Sequence, residues 1–599
     1  MSDTPFRNSI LSDGSIPCDR NMQIINRETL FVPAMLALVL LGGFLRLYRL
    51  ADNPLWYTDE CDYAAVARSL AEGEARVGAI RHPFGRQFLC KPPLWFLLDA
   101  PLQWLPGETL VKGRMAAALA SLALAVVLGL LGRRLHSTGA GLLAAWVSLL
   151  HGPAMLYGRW ATPYPLAGLL NALAVLAVAA DAQAREREAA SPAPSPQSDG
   201  VTPHRLQWGR ERALVLAGAM AGLAMTTEFF SVQTALFILV WIALRRRWSA
   251  LPGAVAAMAV PPLAFVVWGL SVRGGDFVAE LLSLLSQVGE EARRVQTALA
   301  PQLLFAVRAV LLRDFVLTVG TAGLVVWTLG ALGILPVRGG ARRTPARSAA
   351  AAAPGLFLLC MMPFVLRRQG FDPEAPHNLP EYGFALYLGF GVSAAAAAGR
   401  LAKWIERRAA RSSRSATGKA APVRLHWSVA ALVVVPMIFW TGRAIHAAAA
   451  GIPMGAKAIG SVRNLAAART LAEELRSTLP PAALAVLPTR LLPLAPFRAV
   501  PAPQVLLAEA FAEGAERVPL HWHVFVRPGE MAFLPTLDRV RAVVIDDWDR
   551  LNGLDPRLPE PPHPLARLMR ERGWHLWRTW GEYQVFVPPP AGRRLPPAR

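Results

Sequence analysis

Three carboxylates fall within four positions at Asp59, Glu60 and Asp62, in the stretch WYTDECDY, just after a chain segment that reads as membrane-embedded. A carboxylate beside a low-dielectric surface has its pKa pushed upward by desolvation, which suits it to take a proton from an attacking hydroxyl. The same stretch of chain continues through AAVARSLAEGEARVGAI, whose opening has helical periodicity, to QFLCKPPLW with its lone Lys91. Carboxylates and one cation thus flank an amphipathic, interfacial segment. Further cations follow at Arg114, at the start of an apolar run, and at Arg159 in LYGRW. Charged side chains near membrane depth are costly and are therefore functional candidates.

The elements that must carry these residues are set by composition. At 599 residues, 54% hydrophobic and 17% charged, with mean hydropathy +0.34, the chain is too apolar for an ordinary soluble protein and reads as a multispan membrane protein. The net charge of +21 does not point to nucleic acid, because the Arg residues cluster between apolar runs instead of striping one domain. Runs long enough to cross about 30 Å of hydrocarbon lie near 30–49, 113–132, 139–157, 163–181, 213–228, 229–244, 250–271, 314–336, 349–366, 382–400 and 427–447, about eleven spans. Arg- and Lys-rich loops at GRRLHS, 182–212, RRRW, 338–348 and 400–426 fall on alternate sides, which predicts a cytoplasmic N-terminus. The first run is followed by RLYRL and not by a small-residue cleavage site, so it is expected to be retained. The tracts SPAPSPQSDG at 191–200 and RSSRSATGKAAP at 411–422 have linker composition and are expected to be mobile cytoplasmic loops.

The order LWYTDE, AAVARSLAEG, KPPLWFLL, GRMAAALASLALAVVLGLLGRRL and LYGRWATPY resembles the integral-membrane GT-C glycosyltransferases, most of all the bacterial protein mannosyltransferase and lipid A aminoarabinose transferase group. The resemblance implies an α-helical polytopic fold and an inverting glycosyltransferase that uses a polyprenyl-phosphate sugar on the outer face of the cytoplasmic membrane. It implies Asp59 as the catalytic base, with Glu60 beside it supporting the loop or the acceptor. It places Lys91 on the leaving lipid phosphate, with Arg114 and Arg159 next, and more loosely Arg367 and Arg368 of a later outer loop. The implied partners are the polyprenyl-phosphate sugar, a lipid, polysaccharide or protein acceptor, and membrane lipids, with no nucleic acid. Some GT-C relatives use a divalent metal and this group mostly does not; no residue set here forms a cation site, so no cofactor is expected. The chain departs from the group's pattern at Tyr164, where relatives carry Asp, at Thr227–Glu228, where they carry Thr-Lys, and at Asp62, where aminoarabinose transferases carry a basic residue.

The expected organisation is a cytoplasmic segment 1–29, a transmembrane domain 30–447 with a catalytic outer loop 50–112, and a small α/β domain 448–599 on the outer, periplasmic face. The tail supports that α/β expectation through the helical SVRNLAAARTLAEELRSTL, the strand-like VRAVVIDD and the alternating HLWRTWGEYQVFV. Its His521 and His523 read as an exposed strand face and the Asp546, Asp547 and Asp549 cluster as a solvated strand end. Cys61 and Cys90 share the outer loop, where an oxidising compartment permits a bridge. A secondary transporter and a non-catalytic scaffold are the rival functions. The chain shows no internal repeat of the kind transporters carry, and a scaffold leaves the ordered carboxylate, KPP and Arg motifs as coincidence.

Overall fold

The computed structural model describes residues 30–52, 58–72, 92–135, 138–150, 157–190, 203–273, 465–480, 483–495, 499–501, 518–521, 524–526, 540–546, 564–580 and 583–589, with isolated positions besides. The apolar runs up to 271 carry helices: α1 Phe31–Leu47, α4 Thr109–Leu135, α5 Thr138–Leu150, α6 Tyr164–Ala190, α7 Pro203–Met225, α8 Val232–Leu244 and α9 Leu251–Arg273. Between α1 and α4 stand two further helices, α2 Thr58–Ala71 and α3 Leu94–Gln103. The expected runs between 314 and 447 lie outside the described residues, apart from isolated positions.

Among the described residues, Thr109–Leu135, Tyr164–Arg185 and Trp248–Ser271 are long and apolar enough to cross a membrane, and α1, α5 and α8 are shorter apolar helices. Val32, Leu36, Leu40 and Phe44 recur every fourth residue along α1 and are all exposed, while Phe31, Met35, Leu45 and Arg46 are buried. That stripe suits contact with hydrocarbon. Two boundaries differ from the sequence expectation. The loop expected over 182–212 is shorter, because α6 continues to Ala190 and α7 begins at Pro203; DAQAREREAA is rich in Ala, Glu and Arg, strong helix formers that need no lipid to continue the helix. The LWFLL that follows KPP opens a helix of its own, Leu94–Gln103, which a run of its length does not announce.

The C-terminal domain holds a mixed five-stranded sheet, ordered β2 (Ala499–Pro501), β1 (Leu484–Leu487), β5 (Val540–Asp546), β7 (Tyr583–Val587), β6 (His575–Trp580). β1 runs parallel to β2 and to β5, whereas β7 is antiparallel to both β5 and β6. A separate antiparallel pair joins β3 (Val518–His521) to β4 (Val524–Val526). Alternation along β1 and β5 divides two cores: Ala485, Leu487 and Val544 face α10 (Leu465–Thr478), and Leu484, Val486 and Val543 face α11 (Pro564–Glu571). His521 closes β3 and Asp546 closes β5; His523, Asp547 and Asp549 lie outside the described residues.

Candidate functional site

The acidic cluster does not precede the helix after α1 but opens it. α2 begins at Thr58, so Asp59 is its second residue and Glu60 its third. Thr, Asp and Glu favour a helix start because they answer unpaired first-turn amides and the positive end of the dipole, and Ala64, Ala65 and Ala67 then sustain the helix. The side chains of Asp59 and Asp62 lie outside the described residues, as do Lys91, Cys90, Arg367 and Arg368 entirely.

Glu60 is fully buried. Its Oε1 accepts from Arg114 Nε at 2.6 Å and from the Ala161 backbone N–H at 3.1 Å, and its Oε2 accepts from Arg114 Nη2 at 3.2 Å. Arg114, also fully buried, donates through Nη1 to the Leu50 carbonyl at 2.9 Å. One carboxylate and one guanidinium therefore tie four segments together: the end of α1, the first turn of α2, the start of α4 and the chain leading into α6. A buried charge needs such a full set of partners.

Arg159 stands two residues before Ala161 and closes the end of α1. Its Nη1 donates to the carbonyls of Leu45, of Arg46 at 3.2 Å and of Tyr48 at 3.0 Å, and its Nη2 to that of Arg49 at 3.4 Å. A cation at a helix C-terminus satisfies the last carbonyls and the negative end of the dipole together. Burial first, and the nearby Arg114 charge second, lower its pKa to about 10, which leaves it charged at neutral pH. Arg46 does the same for α5, donating to the Leu149 carbonyl at 2.9 Å and the Ser148 carbonyl at 3.2 Å while its Nε meets Ser121 Oγ at 2.9 Å. A Cβ at Gly158 would lie 2.7 Å from both Arg46 Nε and Ser121 Oγ, so only glycine fits there. The structure thus brings Glu60, Arg114 and Arg159 together and adds Arg46, which the sequence hides inside an apolar run.

α3 carries a second buried polar line. Its first amide, on Leu94, donates to the Thr226 carbonyl at 2.9 Å, which joins the end of the KPP motif to the Thr226–Thr227–Glu228 turn after α7. At its other end Lys112 Nζ donates to the carbonyls of Gln103 at 2.9 Å and Leu105 at 3.0 Å. Trp95, Asp99 and Gln103 recur every fourth residue and are buried. Asp99 Oδ1 accepts from Gln103 Nε2 at 3.0 Å, whereas Asp99 Oδ2, like Trp95 Nε1, has no hydrogen-bond partner among the described residues. Burial pushes the Asp99 carboxyl up to about 7, against the lesser opposing pulls of the Gln103 hydrogen bond and the Lys112 charge. A Cβ on Gly113 would lie 3.1 Å from Asp99 Oδ2 and 2.9 Å from Ala161 Cβ, so Asp99 sits one layer from the Glu60–Arg114 pair.

No family model matches the chain, and no curated protein matches it. Solved structures do. ArnT from Cupriavidus metallidurans in the apo state aligns with a TM-score of 0.55 at 14% identity, over 94% of this chain and 98% of that one. The same protein bound to undecaprenyl phosphate aligns with a TM-score of 0.55 at 14% identity, over 95% and 98%. An oligosaccharyltransferase from Archaeoglobus fulgidus, in complex with zinc and sulfate, gives 0.52 at 14% identity over 86% of this chain and 68% of its own. At these identities the likeness establishes the fold alone, and it agrees with the GT-C fold that the sequence motifs imply.

Proposed function

We propose that the chain is an inverting glycosyltransferase that moves a sugar from a polyprenyl-phosphate donor to an acceptor hydroxyl on the outer face of the membrane. One observation carries the reading: a carboxylate-opened helix directly follows the first apolar helix, in a chain whose fold matches, over nearly its whole length, that of an ArnT bound to undecaprenyl phosphate. The acceptor oxygen attacks the anomeric carbon, its proton passes to Asp59, and the bond from that carbon to the phosphate oxygen breaks with its electron pair leaving on the lipid phosphate. A single displacement of this kind needs one positioned carboxylate.

The geometry supports a division of labour among the charged residues. Both Glu60 oxygens are occupied by Arg114 and the Ala161 amide, which suits Glu60 to fix the first turn of α2 and leaves proton transfer to Asp59. Lys91, just ahead of α3, takes the departing phosphate, with Arg367 and Arg368 of the later outer loop as further ligands. Arg114 and Arg159 hold the lip of the site and add positive potential where negative charge grows. In this reading about eleven spans cross the membrane, the N-terminus is cytoplasmic, the C-terminal domain lies outside, and Cys61 and Cys90 share one outer loop. Cys61 is buried against α4 and the C-terminal domain.

The test is transfer in membranes that contain the full chain, given a labelled polyprenyl-phosphate sugar. Release of free polyprenyl phosphate matched by labelled acceptor, and lost on Asp59→Asn, supports the reading. Uptake of a solute without transfer, or full cellular function without Asp59, would overturn it.

A further inference from the structure

α2 is held from two sides. Tyr63 and Val66 pack with Trp95, Phe96 and Ala117 of α3 and α4. Cys61 and Ala64, on another side of the same helix and both fully buried, share one core with Leu471 and Leu475 of α10, Leu491 of the 3-10 turn Thr489–Leu494 and Val544 of β5. That core is one of the two faces of the C-terminal sheet, so the helix that carries the acidic cluster completes the packing of the C-terminal domain. Cores of this kind move as cooperative units.

A polar pin fastens the same junction. Arg469, on the second turn of α10, donates to Glu108 Oε2 from Nη2 at 2.8 Å and from Nε at 3.1 Å. Its Nη2 also reaches the Ala51 carbonyl at 2.7 Å, and its Nη1 lies 3.6 Å from Asp52 Oδ1. Ala51 and Asp52 follow α1 and Glu108 precedes α4, so one guanidinium grips both ends of the outer segment in which α2 and α3 lie. Arg469 and Glu108 are each about three-quarters buried, with side-chain exposures of 26% and 24%, deep enough for a charge-assisted fork to have a fixed geometry.

We propose that Arg469 is a positioning residue: by clamping the C-terminal domain onto the rim of the outer segment, it sets the placement of α2 and so of the carboxylates in its first turn. The domain is then part of the scaffold of the site. The inference rests on the proposed transfer reaction only for its kinetic readout; its structural readout does not need that reaction.

The experiment compares the full-length chain with Arg469→Glu, Glu108→Arg and the double exchange, in detergent, by hydrogen exchange and by transfer kinetics. Each single reversal is expected to raise exchange over 58–72 by about tenfold and to lower kcat by about tenfold or more with the donor KM nearly unchanged; the double exchange recovers part of both, since it restores the pair with position 108 but not the contacts to the Ala51 carbonyl and Asp52. Arg469→Lys is expected to fall between, and Arg469→Gln replaces Arg469→Glu if the reversal prevents folding. Exchange that rises only over 465–478 with 58–72 unchanged, or a double exchange no better than either single, would overturn the clamp. Absence of transfer in the unmodified chain would instead count against the proposed reaction, and the exchange result would still decide the clamp.

Discussion

Glu60 and Asp99 are buried carboxylates packed around the start of α4, and they are treated in opposite ways. Glu60 faces a guanidinium and a backbone amide, with both oxygens bonded; among the described residues Asp99 has one amide donor and an oxygen with none. A fully partnered carboxylate fixes its neighbours. One that is only half partnered is driven by burial toward its neutral form. The first arrangement suits a residue that holds the first turn of α2 in place. The second leaves a titration near neutrality inside the structure.

The sharpest way to break the comparison is to remove one member of the pair. Glu60→Ala or Arg114→Ala leaves a bare buried charge and should cost about 3–5 kcal/mol. Replacing both residues by Met should cost clearly less than the two single losses added together. Thermal melting of the detergent-solubilised chain measures all three variants. A loss for the double equal to the two single losses added together would show that Glu60 and Arg114 do not act as a pair.

The next largest effect belongs to Asp99 and depends on pH. Its folded pKa, about 7, lies above the ordinary value of 3.8, so between those values the folded chain keeps a proton that the unfolded chain has lost. Its contribution to stability is therefore complete below about pH 4, declines as pH rises to about 7, and is flat beyond, a fall on the order of 4 kcal/mol. Asp99→Asn mimics the neutral acid and should flatten the melting temperature across that window. An unchanged pH slope in the variant would mean that Asp99 does not titrate there.

Glycines around α4 and α5 give the smallest test. Gly113→Ala sets a methyl against Ala161 and Asp99 Oδ2, so overpacking of about 1–3 kcal/mol should outweigh the helix propensity gained. Gly139→Ala meets nothing within 4 Å and should change stability by less than about 1 kcal/mol. Similar melting temperatures for the two variants would contradict the tight layer between Glu60 and Asp99.

What could be read from the sequence was what leaves a long or ordered trace. The apolar runs announced α1 and α4 to α9 because hydrocarbon thickness imposes length, and the carboxylate, KPP and LYGRW motifs pointed to the GT-C fold. Pairing was not legible. Glu60 and Arg114 lie 54 positions apart, and no spacing rule joins them. Arg46 is submerged in an apolar run, and its value as a cap for α5 depends on a helix crossing that periodicity does not encode. Asp99 could have been noticed as the one acid in LWFLLDAPLQ, where an ionisable group in a short apolar stretch is itself a signal. α3 was missed because ten residues are too few to span and Pro92 and Pro93 suggest a break, although proline is well placed just before a helix starts.

The central claim is that Asp59 takes the acceptor proton from a helix turn fixed by Glu60 and Arg114. Its most direct test is the rate of glycosyl transfer from a polyprenyl-phosphate sugar by purified Asp59→Asn in lipid, with donor binding measured on the same sample. The expected result is a loss of roughly 10²- to 10⁴-fold in transfer with donor affinity largely kept. Near-normal transfer by Asp59→Asn, alongside its abolition by Asp62→Asn in a chain that still folds, would contradict the claim.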